Sequence, residues 1–290
     1  MQHNEFGFDF NEVMGMNMAE CREQMDCRAF DEEMKSLKFP TNSQILFTSV
    51  EDFINRGSEV SPVIWNKLAA RVPARRAVYG FDAVSIVDNR LSKIPISDFE
   101  VTTLKRALTG MVFDIIPLKK DEVMIVNKLA ARQVVKNHPA DFDGLAKADC
   151  PKWIQNILAA RLQSGESLNK HFPDLQYGLL SGYPKNSTAN YPKFHALRMK
   201  YPEFAVALSD FIYNGGNIAK VKKTLDQLQI PDEERSYLNQ ITSISANCSD
   251  KSVLAKSEFM VLSESDLQYA ARRQYWLEEL DRIFEPVLIR

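Results

Sequence analysis

The chain has 290 residues, 45% of them hydrophobic, with 36 lysines and arginines against 38 aspartates and glutamates, 11 glycines and 13 prolines. This composition can bury a core in one large or two ordinary domains, and it excludes a disordered, collagenous or low-complexity chain. Four cysteines in so long a chain do not build a disulfide framework, so reduced thiols are expected.

Residues 1–40 carry nine acids against four bases and hold six of the ten methionines. The opening residues lack a basic start and an apolar run, and no stretch of 18 apolar residues follows anywhere, so the expectation is a cytoplasmic chain without a membrane span. Met14, Met18, Cys21 and Met25 form one helical stripe, and Cys27, Phe30, Met34 and Leu37 continue it after a shift in phase. Such an acidic, methionine-rich helix either docks a partner or lies on its own core. Cys21 and Cys27 fall on different helix faces, and no paired histidine motif accompanies them, so no metal site and no cofactor is expected.

The segment "QILFTSV" at 44–50 reads as a short strand, and the overlapping Thr48-Ser-Val-Glu51 also matches a helix capping box. Next comes the hexapeptide Asn-Lys-Leu-Ala-Ala-Arg, present at 66–71 and again at 127–132. Phe81-Asp82 and Phe142-Asp143 follow the two copies at the same offset, and "WIQNILAARLQ" around Asn156 is a degenerate third copy. Ile64, Leu68 and Val72 recur at helical spacing in the first copy, as do Ile125 and Leu129 in the second. The repeat therefore predicts a duplicated amphipathic helix. Ser61-Pro62 marks the start of one copy and Asp121 the start of the other.

The outer face of each copy is basic, with Lys67, Arg71 and Arg75 in the first and Lys128, Arg132 and Lys136 in the second. Residues 61–140 hold thirteen basic side chains against seven acidic ones, so these ridges are candidate contacts for nucleic acid or another polyanion. Pro73 ends or kinks the first helix, which removes Arg75 from the line. Between the copies, Ser97-Asp-Phe-Glu100 is a capping box, Gly57 and Gly110 close helices, and "MVFDIIP" reads as a second short strand.

Residues 171–202 concentrate possible ligand-contacting side chains: His171, Tyr177, Tyr183, Lys185, Tyr191, His195 and Arg198. Gly178 and Gly182 permit close packing and a turn at Tyr183-Pro184. Lys185 and Ser187 follow those glycines, but the Tyr-Pro pair interrupts the contiguous Gly-Lys-Ser/Thr that a phosphate loop requires. Residues 203–240 read as three helices punctuated by Asn214-Gly-Gly and Ile230-Pro-Asp, and a last helix runs from Ser263 or Ser265 to about Phe284, stopped by Pro286.

The reading is a mainly α protein with at most a minor sheet, divided into an acidic arm (1–40), a region holding the duplicated helix (41–150) and a C-terminal helical region (151–290). The leading functional expectation is a helical adaptor or scaffold that binds a protein partner through the arm or the 171–202 surface. The alternatives are a polyanion binder using the basic ridges and an enzyme with a pocket around 171–202, in which His171 and His195 act as acid and base.

Overall fold

The computed structural model describes residues 10–88, 94–119, 122–142, 174–248 and 263–289. It is mostly helical with one small sheet. The described residues fall into two compact units, one comprising 10–142, 180–182 and 278–289, the other 174–179 and 183–277.

The first unit begins with α1 (Phe10–Gln24), α2 (Cys27–Ser36) and α3 (Ser43–Gly57). The phase shift in the methionine stripe is the break between α1 and α2, where the Asp26 side chain caps the new helix at the Ala29 amide. Met18, Cys21, Met25, Phe30 and Met34 are buried, and the Cys21 thiol donates to the Ile283 carbonyl at 3.3 Å. The described part of the arm thus packs on its own core. Burial raises the Cys21 thiol above its usual range, with Glu20 adding to the effect, which disfavours the thiolate.

The helix α2 ends in a Schellman motif. The Phe39 amide donates to Met34 and the Lys38 amide to Lys35, while Met34 and Phe39 bury the accompanying apolar contact. Lys38 therefore takes a position usually held by glycine, with φ at 54°. That backbone costs a residue with a side chain roughly 1 kcal/mol relative to glycine.

The helix α3 corrects one expectation: 44–50 is helical, not a strand. The Asn42 side chain caps the Ile45 amide, and Leu46, Val50, Phe53 and Ile54 are buried at helical spacing. Thr48 consequently lies inside the helix rather than at its cap. Next come α4 (Pro62–Ala69), α5 (Val72–Val78), β1 (Val84–Asp88), α6 (Asp98–Leu108), β2 (Phe113–Lys119), β3 (Glu122–Asn127), α7 (Lys128–Asn137) and a 3-10 turn at Pro139–Phe142. Both halves of the Ser97–Glu100 capping box form at the start of α6. The Trp65 ring lies 3.9 Å from that of Phe53, and its indole N–H donates to the Leu288 carbonyl.

The three strands pair antiparallel in the order β1-β3-β2. The central strand is buried from Val123 to Asn127, which explains its unbroken apolar run. Pro117 sits in β2, an edge strand of this sheet among the described residues, where the proline's missing N–H is tolerated. The expected strand at "MVFDIIP" is this β2.

Among the described residues the two copies do not form equivalent helices. In the first copy the hexapeptide closes α4 at Ala69, and Arg71 precedes α5, which Pro73 opens. In the second, Asn127 is the last residue of β3 and caps α7. Ile125 therefore faces neighbours in a sheet, not a helix. The third copy, Asp121, Asp143 and His171 lie outside the described residues.

The second unit contains α8 (Asp174–Leu180), which ends in the first, then α9 (Lys185–Lys200), α10 (Pro202–Tyr213), α11 (Ile218–Gln227), α12 (Asp232–Asn247) and the first part of α13 (Glu264–Leu288). A Cβ on Gly178 would lie 2.2 Å from Thr188 Cγ2, so the glycine is what lets α8 approach α9. The core of this unit gathers Phe194, Phe204, Leu208, Phe211, Val221, Leu225, Leu238 and Ile241. The separators at 214–217 and 230–231 fall where the sequence placed them. Pro286, however, does not stop α13: Val287 and Leu288 are buried, and that burial carries the helix past the one hydrogen bond a proline forfeits. Among the described residues no helix is long and apolar enough to cross a membrane.

Candidate functional site

The face of α10 opposite its buried side carries exposed apolar side chains. Phe204, Ala207, Leu208, Phe211 and Ile212 point into the core, and the remaining ridge carries Val206, Asp210 and Tyr213 at i, i+4 and i+7. Val206 is 68% exposed and Tyr213 60%. With Arg198 from α9 and Lys220 from α11 they line a groove of about 450 Å³.

The polar end of this groove is fixed by the turn between α10 and α11. The Asp210 carbonyl accepts from the Asn214 and Gly216 amides at 3.0 and 3.1 Å, and its carboxylate accepts from Asn214 Nδ2 and Lys220 Nζ, both at 3.4 Å. Lys220 and Asp210 are both solvent-exposed enough for water and salt to weaken their pair. Arg198 is different. Its guanidinium lies over the Phe194 ring, 5.7 Å from the centroid, and it makes no ion pair with a carboxylate among the described residues. The groove thus combines an uncompensated guanidinium, two exposed apolar side chains and a paired Lys–Asp edge.

Of the side chains singled out in 171–202, α9 brings three together. Tyr191, His195 and Arg198 follow one ridge, and the Tyr191 and His195 rings stack with centroids 5.7 Å apart at 24°. Lys185 opens the same helix, Tyr177 belongs to α8 and Tyr183 to the turn between them. Val206, Asp210, Tyr213 and Lys220 were not anticipated. The available signal was a second ridge of α10 bearing valine and tyrosine after the buried ridge had been satisfied.

The six cations of the two hexapeptide regions do not form matching ridges. Lys67 donates to Glu100 at 2.6 Å, and Arg75, only 9% exposed, grips Asp281 through two bonds of 2.8 and 3.1 Å with Glu285 nearby. Arg75 loses hydration on burial, yet the hydrogen bond and charge of Asp281 outweigh that loss and raise its pKa. Lys128 approaches buried Asp114 at 3.5 Å and donates to the Gly110 carbonyl, while Arg71 donates to Ile94. Arg132 and Lys136 are exposed and have no ion pair among the described residues. No family model, no curated protein and no solved structure matches this chain.

Proposed function

We propose that the protein is a helical adaptor whose second unit docks a segment of a protein partner in the groove between α9, α10 and α11. The observation that supports this reading is the pairing of Arg198, without a carboxylate partner among the described residues, with Val206 and Tyr213, both more than half exposed. A segment bringing an acidic side chain to Arg198 and an apolar one onto Val206 and Tyr213 complements both features. Exposed aromatic and arginine side chains are the types that anchor such contacts. The arm is the weaker candidate, because Met18, Cys21, Met25, Phe30 and Met34 of its stripe are buried against its own unit.

The test is to purify tagged full-length wild type and Val206→Glu side by side from the native host under gentle conditions. The reading expects a specific protein to accompany the wild type and to be depleted at least about tenfold with the variant, whose circular dichroism and melting remain unchanged. Identical companions on both, or none on either, would reject the groove. An absorbance ratio showing co-purifying nucleic acid, sensitive to salt, would instead favour polyanion binding.

A further inference from the structure

A second groove, in the first unit and independent of the reading above, lies where the end of α2 meets the start of α3 and the side of α7. It measures about 420 Å³, a size suited to a small molecule, and Lys35, Lys38, Asn42, Gln133 and Asn137 contribute to its wall. Lys35 and Lys38 are exposed, and neither ammonium group makes a hydrogen bond or ion pair among the described residues. The other polar groups are partly committed. Gln133 Nε2 donates to Asn137 Oδ1 at 2.8 Å, Asn137 Nδ2 donates to the Phe39 carbonyl at 3.3 Å, and Asn42 Oδ1 accepts the Ile45 amide at 2.9 Å. Asp31 also borders the groove, but its carboxylate oxygens accept from the Ser43 amide and hydroxyl at 2.6 and 2.9 Å.

What is left for a ligand is therefore specific: two ammonium groups, the Asn42 amide as donor and the Gln133 carbonyl as acceptor. The geometry points to a binding site for a small hydroxylated organic anion, with its oxyanion on Lys35 and Lys38 and its hydroxyls on Gln133 and Asn42. The Asp31 charge explains why hydroxyls, and not a second anionic group, suit the rest of the groove. Lys38 adds a second line of support. It holds the left-handed helix-end position that glycine occupies at lower energy, so a side chain at this edge of the groove comes at a cost in folding stability.

Glucose 6-phosphate is the probe, titrated calorimetrically into the full chain at low salt beside glucose and inorganic phosphate. Wild type should bind the sugar phosphate more tightly than either fragment. Lys38→Gly should raise the folding equilibrium constant about fivefold in urea titrations. The same variant, and Lys35→Ala, should weaken binding roughly tenfold. Gained stability with lost affinity is an outcome that simple structural damage does not produce. The proposal fails if wild type ignores the probe at tens of millimolar, if glucose or phosphate alone binds as tightly, if both variants keep full affinity, or if Lys38→Gly destabilises the fold.

Discussion

The hexapeptide at 66–71 finishes one helix and hands over to the next, whereas the same letters at 127–132 leave a strand and open a helix. Asn66 lies within α4, but Asn127 is fully buried and satisfies four groups: its carbonyl oxygen accepts from the Leu129 and Ala130 amides, and its nitrogen donates to Ser49 Oγ and the Ala77 carbonyl. The preceding residues decide the difference. "PVIW" begins with a proline that starts a helix at once, whereas "EVMIV" pairs on both sides with β1 and β2 and must end before α7 can begin. Local letters set which conformations are cheap, and tertiary pairing chooses among them.

The largest test of this contrast is at the two asparagines. Asn127→Ala removes a helix cap and the donor to the buried Ser49 hydroxyl and to the Ala77 carbonyl, which keeps the Gly80 amide, for a loss of about 3 kcal/mol. Asn66→Ala, at a helical position where alanine is the better former, should cost no more than about 1 kcal/mol. Urea unfolding of the pair measures both, and equal losses would mean that the copies are equivalent after all. A smaller contrast lies at Arg75 and its counterpart Lys136. Arg75→Met leaves Asp281 holding only the Tyr79 hydroxyl, at 2.8 Å, and the nearby Glu285 unneutralised, which should cost about 2 kcal/mol because Asp281 keeps some access to water. Lys136→Met changes an exposed side chain and should stay within about 0.5 kcal/mol.

The same contrast shows where the chain can be read directly. The second unit is punctuated by local chemistry: Asn217 caps α11 through its own side chain, and Pro202 opens α10, so its helices follow from the letters. The sheet does not, because β1 is a short run whose only strand partner among the described residues, β3, lies more than thirty residues further on, and a run such as "VMIVNKLAAR" satisfies a helical period as well as a strand. Residues 44–50 were misleading for the converse reason, being β-branched and apolar yet committed to a helix by Asn42 one turn earlier. In the candidate groove Arg198 was recognisable as a cation in an aromatic stretch, but Val206 and Tyr213 look like core residues until the opposite face of α10 is seen to be buried. The left-handed backbone at Lys38 had no sequence signal, since glycine or asparagine would have announced it and lysine does not.

The smallest expected effect sharpens the comparison at Lys67 and Lys128, which occupy the same place in the two copies. Lys67 reaches Glu100, a residue that also accepts from the Ser97 amide and hydroxyl in the α6 capping box. Desolvation pushes the Glu100 carboxyl upward, but the bonds from Lys67 and Ser97 prevail and hold it below its ordinary value. A carboxylate lowered in the folded state adds stability that is present above the unfolded value, near 4.3, and disappears as pH falls through the folded one. Urea midpoints for wild type and Glu100→Gln should therefore differ at neutral pH, by less than about 1 kcal/mol, and converge as the solution is taken from about pH 5 toward pH 3. Lys67→Met should reproduce part of that convergence. A gap that stays constant on acidification would show that Glu100 acts as a neutral cap, leaving Lys67 as idle toward its carboxylate as the exposed Lys136 of the other copy.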